Sequence, residues 1–254
     1  VWSGAELWLL HGKFQQGWPK FAMSTFMRSD DGIVSAALAP ACVQTVIGGQ
    51  AVSCKLETEY PFRNKLTYTV STDAPVEFAL KIRIPSCVKS ALVNGASATP
   101  GTFFDIKQVW SGLTKVEVVF EFECKLAQRP RDMKVLWRGP LLYSVAIRER
   151  WEMLEYTRAE VERKFPYCDY ELYPESEWNY GFTDGMNFSV SEHPMGEYPF
   201  GTEQPPVEIQ AMLAPVDWPE EYGVAAIEPR SRKALGEARP VRMIPYGCAR
   251  LRMT

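Results

Sequence analysis

The chain has 254 residues, 46% of them hydrophobic and 23% charged, with a formal net charge of −3. These values fit a soluble globular protein of two domains or one large β domain, and they argue against a basic nucleic-acid binder. No apolar run reaches the roughly 20 residues of a bilayer-spanning helix, so neither nucleic acid nor membrane is an expected partner.

The chain begins at Val1, and Val1-Trp2-Ser3-Gly4 is not a signal peptide, so a processed or truncated chain is expected. Its six cysteines (Cys42, Cys54, Cys87, Cys124, Cys168 and Cys248) are scattered, without a CxxC pair. They read as free thiols that behave mostly as small buried hydrophobes, which points to a cytoplasmic location.

In chain order, Ala5, Leu7, Trp8, Leu9 and Leu10 could form one apolar turn, too little for a helical domain. In Gln15-Gln16-Gly17-Trp18-Pro19-Lys20-Phe21, Gly17 permits a turn and Pro19 suits the first turn of a helix. Phe21, Ala22, Thr25 and Phe26 then share one face, and the helix should stop around Ser29-Asp30-Asp31-Gly32. From there the pattern is β.

Ile33 to Leu38 is a short strand ended by Pro40. Gly48-Gly49 joins Val43–Ile47 to Ala51–Cys54 as a hairpin. Leu66–Val70 and Phe78–Ile84 alternate with a period of two, as half-buried antiparallel strands do. Val93-Asn94-Gly95 is a turn, and Phe103–Ile106 and Lys115–Phe122 add two more strands. Strands about ten residues apart are the mark of a sandwich or jelly roll.

Gln128–Asp132 is a polar connection. Gly139–Ile147 is an apolar strand that could finish a first sandwich or open a second. Trp151–Lys164 carries many Arg and Glu and is expected to be a short helix with a solvated face. Tyr170–Tyr173, Asn187–Val190, Val207–Leu213 and Cys248–Met253 complete the expected strands. Trp110 and Trp137 flank strands and are expected in the core.

Chemistry is sparse. His11 and His193 are the two histidines, and no HExxH, Walker loop or dinucleotide fingerprint appears. Glu57 and Glu59 share a strand face, most simply as the polar outside of an edge strand. Tyr173, Trp178, Asn179 and Tyr180 form an aromatic cluster with an adjacent amide. Such a cluster can stack on sugar C–H bonds and read hydroxyls, or simply pack between domains.

Taken together and in order, several stretches resemble one family. Gln16-Gly17-Trp18-Pro19-Lys20-Phe21 is similar to the segment that closes the helical catalytic barrel in glycoside hydrolases of family 127, the β-L-arabinofuranosidase type. Asp31–Val34, Leu38-Ala39-Pro40, Tyr60-Pro61-Phe62, Leu80–Ser86, Val93-Asn94-Gly95 and Arg138–Tyr143 fit the same family. Trp178-Asn179-Tyr180 and Ile244–Cys248 complete the match.

The resemblance implies an (α/α)₆ catalytic barrel followed by two β-sandwich domains. This chain would then be all-β after a helical remnant over 1–31, with jelly-roll-like sandwiches over 32–147 and 148–254. The family's chemistry uses a zinc-bound cysteine as nucleophile and a glutamate as acid/base. Two adjacent cysteines lie seven and eight positions before the glycine of the Gly-Trp-Pro-Lys-Phe segment, where this chain has Leu10 and Leu9. Leucine has no lone pair with which to bind zinc or attack a sugar. Either residues 1–14 replace the true barrel end or the chain is a degenerate relative.

The expected role is therefore a non-catalytic C-terminal portion, without zinc of its own, whose partner is a helical catalytic domain or subunit. Two alternatives stand beside it. One is a carbohydrate-binding module for arabinose-containing glycans, with Gln16, Trp18, Tyr173, Trp178, Asn179 and Tyr180 as sugar-binding or domain-interface residues. The other is an assembly subunit or homo-oligomer joined through an exposed helix face carrying Phe21, Phe26 and Met27.

Overall fold

Alternation of apolar and polar residues shapes the first half of the chain. In a computed structural model, which describes residues 17–183 and 186–253, the chain divides into two compact all-β units, Val1–Glu123 and Cys124–Thr254. The expectations for residues 1–16, Gln16 among them, fall outside the described residues.

In the first unit, residues 17–23 are helical, and the helix ends earlier than its apolar spacing implies. Ser24 Oγ donates to the Lys20 carbonyl at 2.7 Å, and Thr25 Oγ1 donates to that of Ala22 at 2.8 Å. The Lys20 carbonyl already accepts from Ser24 N at 3.1 Å, while the Thr25 hydroxyl takes the Ala22 carbonyl that a further turn would have used. Phe26 therefore opens a strand and is 8% exposed in the core, not set on a helix face beside Phe21.

Eight strands follow: β1 (Phe26–Ser29), β2 (Gly32–Ser35), β3 (Ala41–Ile47), β4 (Gln50–Thr58), β5 (Lys65–Arg83), β6 (Ser90–Val93), β7 (Ala96–Ala98) and β8 (Phe103–Glu121). They form one sheet in the order β1-β2-β5-β8-β6-β7, with β4 also on β5 and β3 on β4. β5 and β8 are 19 residues each, and each merges two strands expected separately. Their antiparallel register shifts between Thr72 and Val76, which absorbs Asp73 and Pro75 without ending the strand.

Leu66, Tyr68, Val70, Phe78, Leu80 and Ile82 of β5 share one core with Trp110, Val116, Val118 and Phe120 of β8. Trp110 is 1% exposed, stacks on Phe78 with ring centroids 5.3 Å apart, and donates from Nε1 to the Phe78 carbonyl at 3.0 Å. β2 runs parallel to β5, and Gly32 lies against Ala79 so closely that a Cβ would strike the Ala79 carbonyl oxygen.

The second unit holds β9 (Cys124–Arg129), β10 (Met133–Arg138), β11 (Leu141–Val145), β12 (Glu149–Leu154), β13 (Tyr156–Arg158), β14 (Val161–Arg163) and β15 (Asp169–Pro174). After these come β16 (Tyr180–Phe182), β17 (Phe188–Glu192), β18 (Val207–Asp217), β19 (Glu220–Glu221), β20 (Val224–Ala225), β21 (Ser231–Ala234) and β22 (Arg239–Pro245). Its main sheet runs β16-β18-β22-β11-β10-β9, with β17 and β21 also on β18. The pairs β12-β15, β13-β14 and β19-β20 stand as separate ribbons.

Four expectations are corrected here. The division falls after Glu123, not after 147, because β9, β10 and β11 pair into the second sheet. Residues 151–164 are not a helix: β12 pairs with β15, and Ala159 and Glu160, at φ 50° and 62°, turn β13 back onto β14. Cys248–Met253 is not the closing strand. That strand is β22, whose Pro240 and Pro245 each lie where it has a neighbour on one side alone. Trp137 is 37% exposed and is not a core residue.

Candidate functional site

Trp18 and the aromatic cluster of residues 173–180 belong to different units. Trp18 is 66% exposed and meets Phe21 edge-on at 6.2 Å. Phe21 lines a cleft of about 370 Å³ with Leu38, Tyr60, Arg83 and Cys87. Burial pushes the Tyr60 hydroxyl up to about 12 and raises the Cys87 thiol, so neither ionises readily in the neutral range.

In the second unit, β15 presents Tyr173 beneath Arg150, whose guanidinium carbon lies 4.7 Å from the ring centre. Tyr173 donates its hydroxyl to Glu171 Oε2 at 2.5 Å, and this bond to a carboxylate raises its pKa. Past Pro174 the chain leaves the strand, and Trp178 meets Trp218 edge-to-face at 6.3 Å. Trp218 is held by Nε1 donating to the Ala226 carbonyl at 2.7 Å.

Asn179 docks onto β18 from both its backbone and its side chain. Its carbonyl accepts from Val216 N at 2.9 Å, and its Nδ2 donates to the Val216 carbonyl at 3.1 Å. Tyr180 then opens β16. Its hydroxyl donates to Glu177 Oε2 at 3.0 Å and accepts from Arg239 Nη2 at 2.6 Å, while Arg239 also pairs directly with Glu177.

Trp178 and Asn179 line one open cleft with Pro174, Glu175, Glu177 and Glu220. Tyr173 lies on β15 just before that cleft, and Tyr180 faces a neighbouring one with Arg239. Trp218, Glu177 and Arg239 complete the constellation and were not singled out by sequence. Arg239 sits 59 positions from Tyr180, so no local pattern could join them.

General acid–base or nucleophilic chemistry has little to work with among the described residues. Glu57 pairs with Lys55 at 2.7 Å and Glu59 with Arg63 at 3.8 Å, so the two carboxylates do not act as a pair. His193 Nε2 lies 3.5 Å from Glu208, whose other oxygen is held by Arg242 Nε at 2.5 Å. Burial pushes the Cys54 thiol up to about 12 and that of Cys248 up to about 11, opposite to what a nucleophile needs. No group of three or more His, Cys, Asp or Glu among the described residues is placed to hold a metal, so the donor set present does not fit zinc. No helix among them is long and apolar enough to cross a membrane.

Residues 38–122 match the family model of the GH127 β-L-arabinofuranosidase middle domain. The match ends one residue before the boundary of the first unit. Among solved structures, a GH127 β-L-arabinofuranosidase from Geobacillus stearothermophilus T6 superposes with a TM-score of 0.58 at 20% identity. The superposition covers 91% of this chain and 34% of that one. A second structure, described as a glycoside hydrolase, gives a TM-score of 0.59 at 18% identity and covers 91% of this chain and 35% of its own. No curated protein matches the sequence. The resemblance to family 127 drawn from the motifs therefore holds, and the chain spans about a third of the length of the solved structures it matches.

Proposed function

We propose, from the GH127 middle-domain match over residues 38–122, that this chain is the non-catalytic β portion of a β-L-arabinofuranosidase-like glycoside hydrolase. On this reading it supports a helical catalytic domain supplied elsewhere, and nucleophile, acid/base and zinc all reside in that domain. The continuation of the fold likeness over 91% of the chain extends the reading to the second unit. The chemistry of the described side chains is consistent with it: burial shifts the Cys54 and Cys248 thiols upward, and Glu57 is tied to Lys55.

The test is hydrolysis of an aryl β-L-arabinofuranoside by the purified chain, with zinc content measured after incubation and dialysis. Neither turnover nor stoichiometric zinc is expected. Turnover that co-purifies with the chain through successive columns overturns the proposal.

A second reading, a glycan-binding face, draws on Trp178, which shares a cleft with Glu175, Glu177 and Glu220. An aromatic ring beside carboxylates can take a sugar's C–H face while accepting from its hydroxyls. Against it, the Asn179 amide already donates to Val216. Calorimetry with arabino-oligosaccharides decides: heat that disappears in Trp178→Ala supports binding, and no heat at millimolar sugar excludes it.

A further inference from the structure

A small pocket in the second unit is distinct from the Trp178 cleft and shares one wall with it. It lies between β16, the end of β18, the start of β21 and the loop that joins β9 to β10. Its volume is about 190 Å³. A cavity of about 150 Å³ takes one benzene, so this one holds a single small ring and not two. Val216 and Pro229 are buried in its walls, and Phe182 and Trp218 line it half-buried. Trp218 is fixed in place, because its Nε1 donates to the Ala226 carbonyl at 2.7 Å.

Asp132, Lys134 and Arg232 supply the polar lining. An uncommon turn brings Asp132 there: Arg131 and Asp132 both adopt positive φ, at 62° and 56°. Gln128 Nε2 donates to Asp132 Oδ1 and Arg232 Nη2 donates to the Arg131 carbonyl, and the two bonds hold the turn. Arg232 also lies 3.9 Å from Glu228. The Lys134 ammonium is half-buried and has no hydrogen bond or ion pair among the described residues. Two cations thus stand against two carboxylates, so the mouth has no net charge with which to select an ion. A wholly apolar ligand would strip water from Lys134 and replace it with nothing, which is unfavourable.

We infer that this pocket holds one neutral sugar unit. A sugar ring matches the lining on both counts. Its C–H faces suit Phe182 and Trp218, and its hydroxyls can accept from Lys134 and donate to the remaining oxygen of Asp132. The inference rests on the glycan-binding reading and narrows it to a place and a size. Trp218 also lines the open cleft of Trp178, and the two indoles meet at 6.3 Å. A glycan therefore seats one unit in the pocket and passes its neighbour across Trp218 to Trp178. Selection among sugars lies in the pocket, where donors and acceptors converge; the cleft adds contact.

Amide and indole NMR spectra of the full chain read this during titration with the methyl glycosides of L-arabinose, D-xylose, D-glucose and D-galactose. At millimolar concentration at least one should move the Lys134 and Phe182 amide signals and the Trp218 indole signal. Benzoate, a charged ring of similar size, should move none of them. Lys134→Met and Asp132→Asn should each weaken that sugar at least tenfold while the melting temperature stays near that of the parent. Asparagine tolerates the left-handed backbone at position 132, so the turn survives the second substitution. A sugar that moves the Trp178 indole signal but spares the Lys134 and Phe182 amides overturns the inference and leaves the glycan-binding reading standing. Silence toward every methyl glycoside also overturns it, and silence toward arabino-oligosaccharides as well overturns both. Full affinity in both variants, or benzoate moving the same signals, overturns the inference alone.

Discussion

The two units reach an all-β fold by different routes. In the first, two 19-residue strands run side by side as a spine, and every other strand attaches to one of them or to a neighbour of one. Its buried residues form one cluster from Phe26 to Phe120. In the second, the longest strand is β18 with 11 residues, and three two-stranded ribbons lie off the main sheet. Its ribbons carry exposed aromatics such as Trp151, Tyr156, Tyr170 and Tyr173. A continuous spine concentrates stability in a few long ladders, whereas a short sheet with ribbons leaves aromatic surface free to be recruited. The family model covers the spine and stops at its end.

The largest expected effect breaks the spine. Trp110→Ala removes a fully buried ring, its stack on Phe78 and the Nε1 bond to the Phe78 carbonyl. Large-to-small changes of this kind cost about 3–5 kcal/mol. Hydrogen exchange on the full chain should show the loss of protection in residues 26–121 and little change in β18 and β22. Equal loss in both units would mean that they unfold as one, and the contrast drawn above would fail.

A matched pair of glycine substitutions tests the same contrast with identical chemistry. Gly32→Ala drives a methyl into the Ala79 carbonyl, which is backbone inside the β2–β5 ladder and cannot yield without breaking it. Gly181→Ala sets its methyl 2.8 Å from Val216 Cγ1, a side chain that can rotate away. Overpacking costs about 1–3 kcal/mol, and the first substitution belongs at the top of that range and the second at the bottom. Thermal melting of both variants checks the order, and Gly181→Ala proving the more damaging would reverse it.

Much of the spine is legible in the sequence because alternation is a direct consequence of one face being buried. The turns at Gly48-Gly49 and Asn94-Gly95 are legible for a separate reason: all four residues adopt positive φ, which these residue types tolerate best. What misleads is the interruption of pattern. Asp73 and Pro75 look like breakers, as do Ser111 and Gly112, yet a register shift and a Gly112 at φ 60° carry both strands through. In the second unit, β22 hides behind two prolines, and the charged run of 151–164 conceals strands whose faces are mostly exposed. The candidate cluster is legible only along the chain. Trp178 and Asn179 stand adjacent in sequence, but Trp218 and Val216, which meet them, and Arg239, which meets Tyr180, come from far along the chain.

The smallest expected effect concerns the ion pair beside the parallel ladder. Lys81 Nζ lies 2.9 Å from Asp31 Oδ1, and Ser29 Oγ donates to the same oxygen at 2.8 Å. The bond from Lys81, then that from Ser29, holds the Asp31 carboxyl below its ordinary value of 3.8. A carboxylate lowered on folding adds stability that is fully present above its ordinary value and fades as pH falls through the depressed one. The partner amine is raised above 10.5, so its share is present below that value and fades in strong alkali. Both groups are solvent-screened, and exposed pairs contribute little. Melting curves of the parent and Asp31→Asn should therefore differ slightly near neutral pH and converge in strong acid, once the pH has fallen through the depressed pKa and the parent carboxyl has taken up its proton. A difference that persists unchanged into acid would show that the charge of Asp31 is not its source.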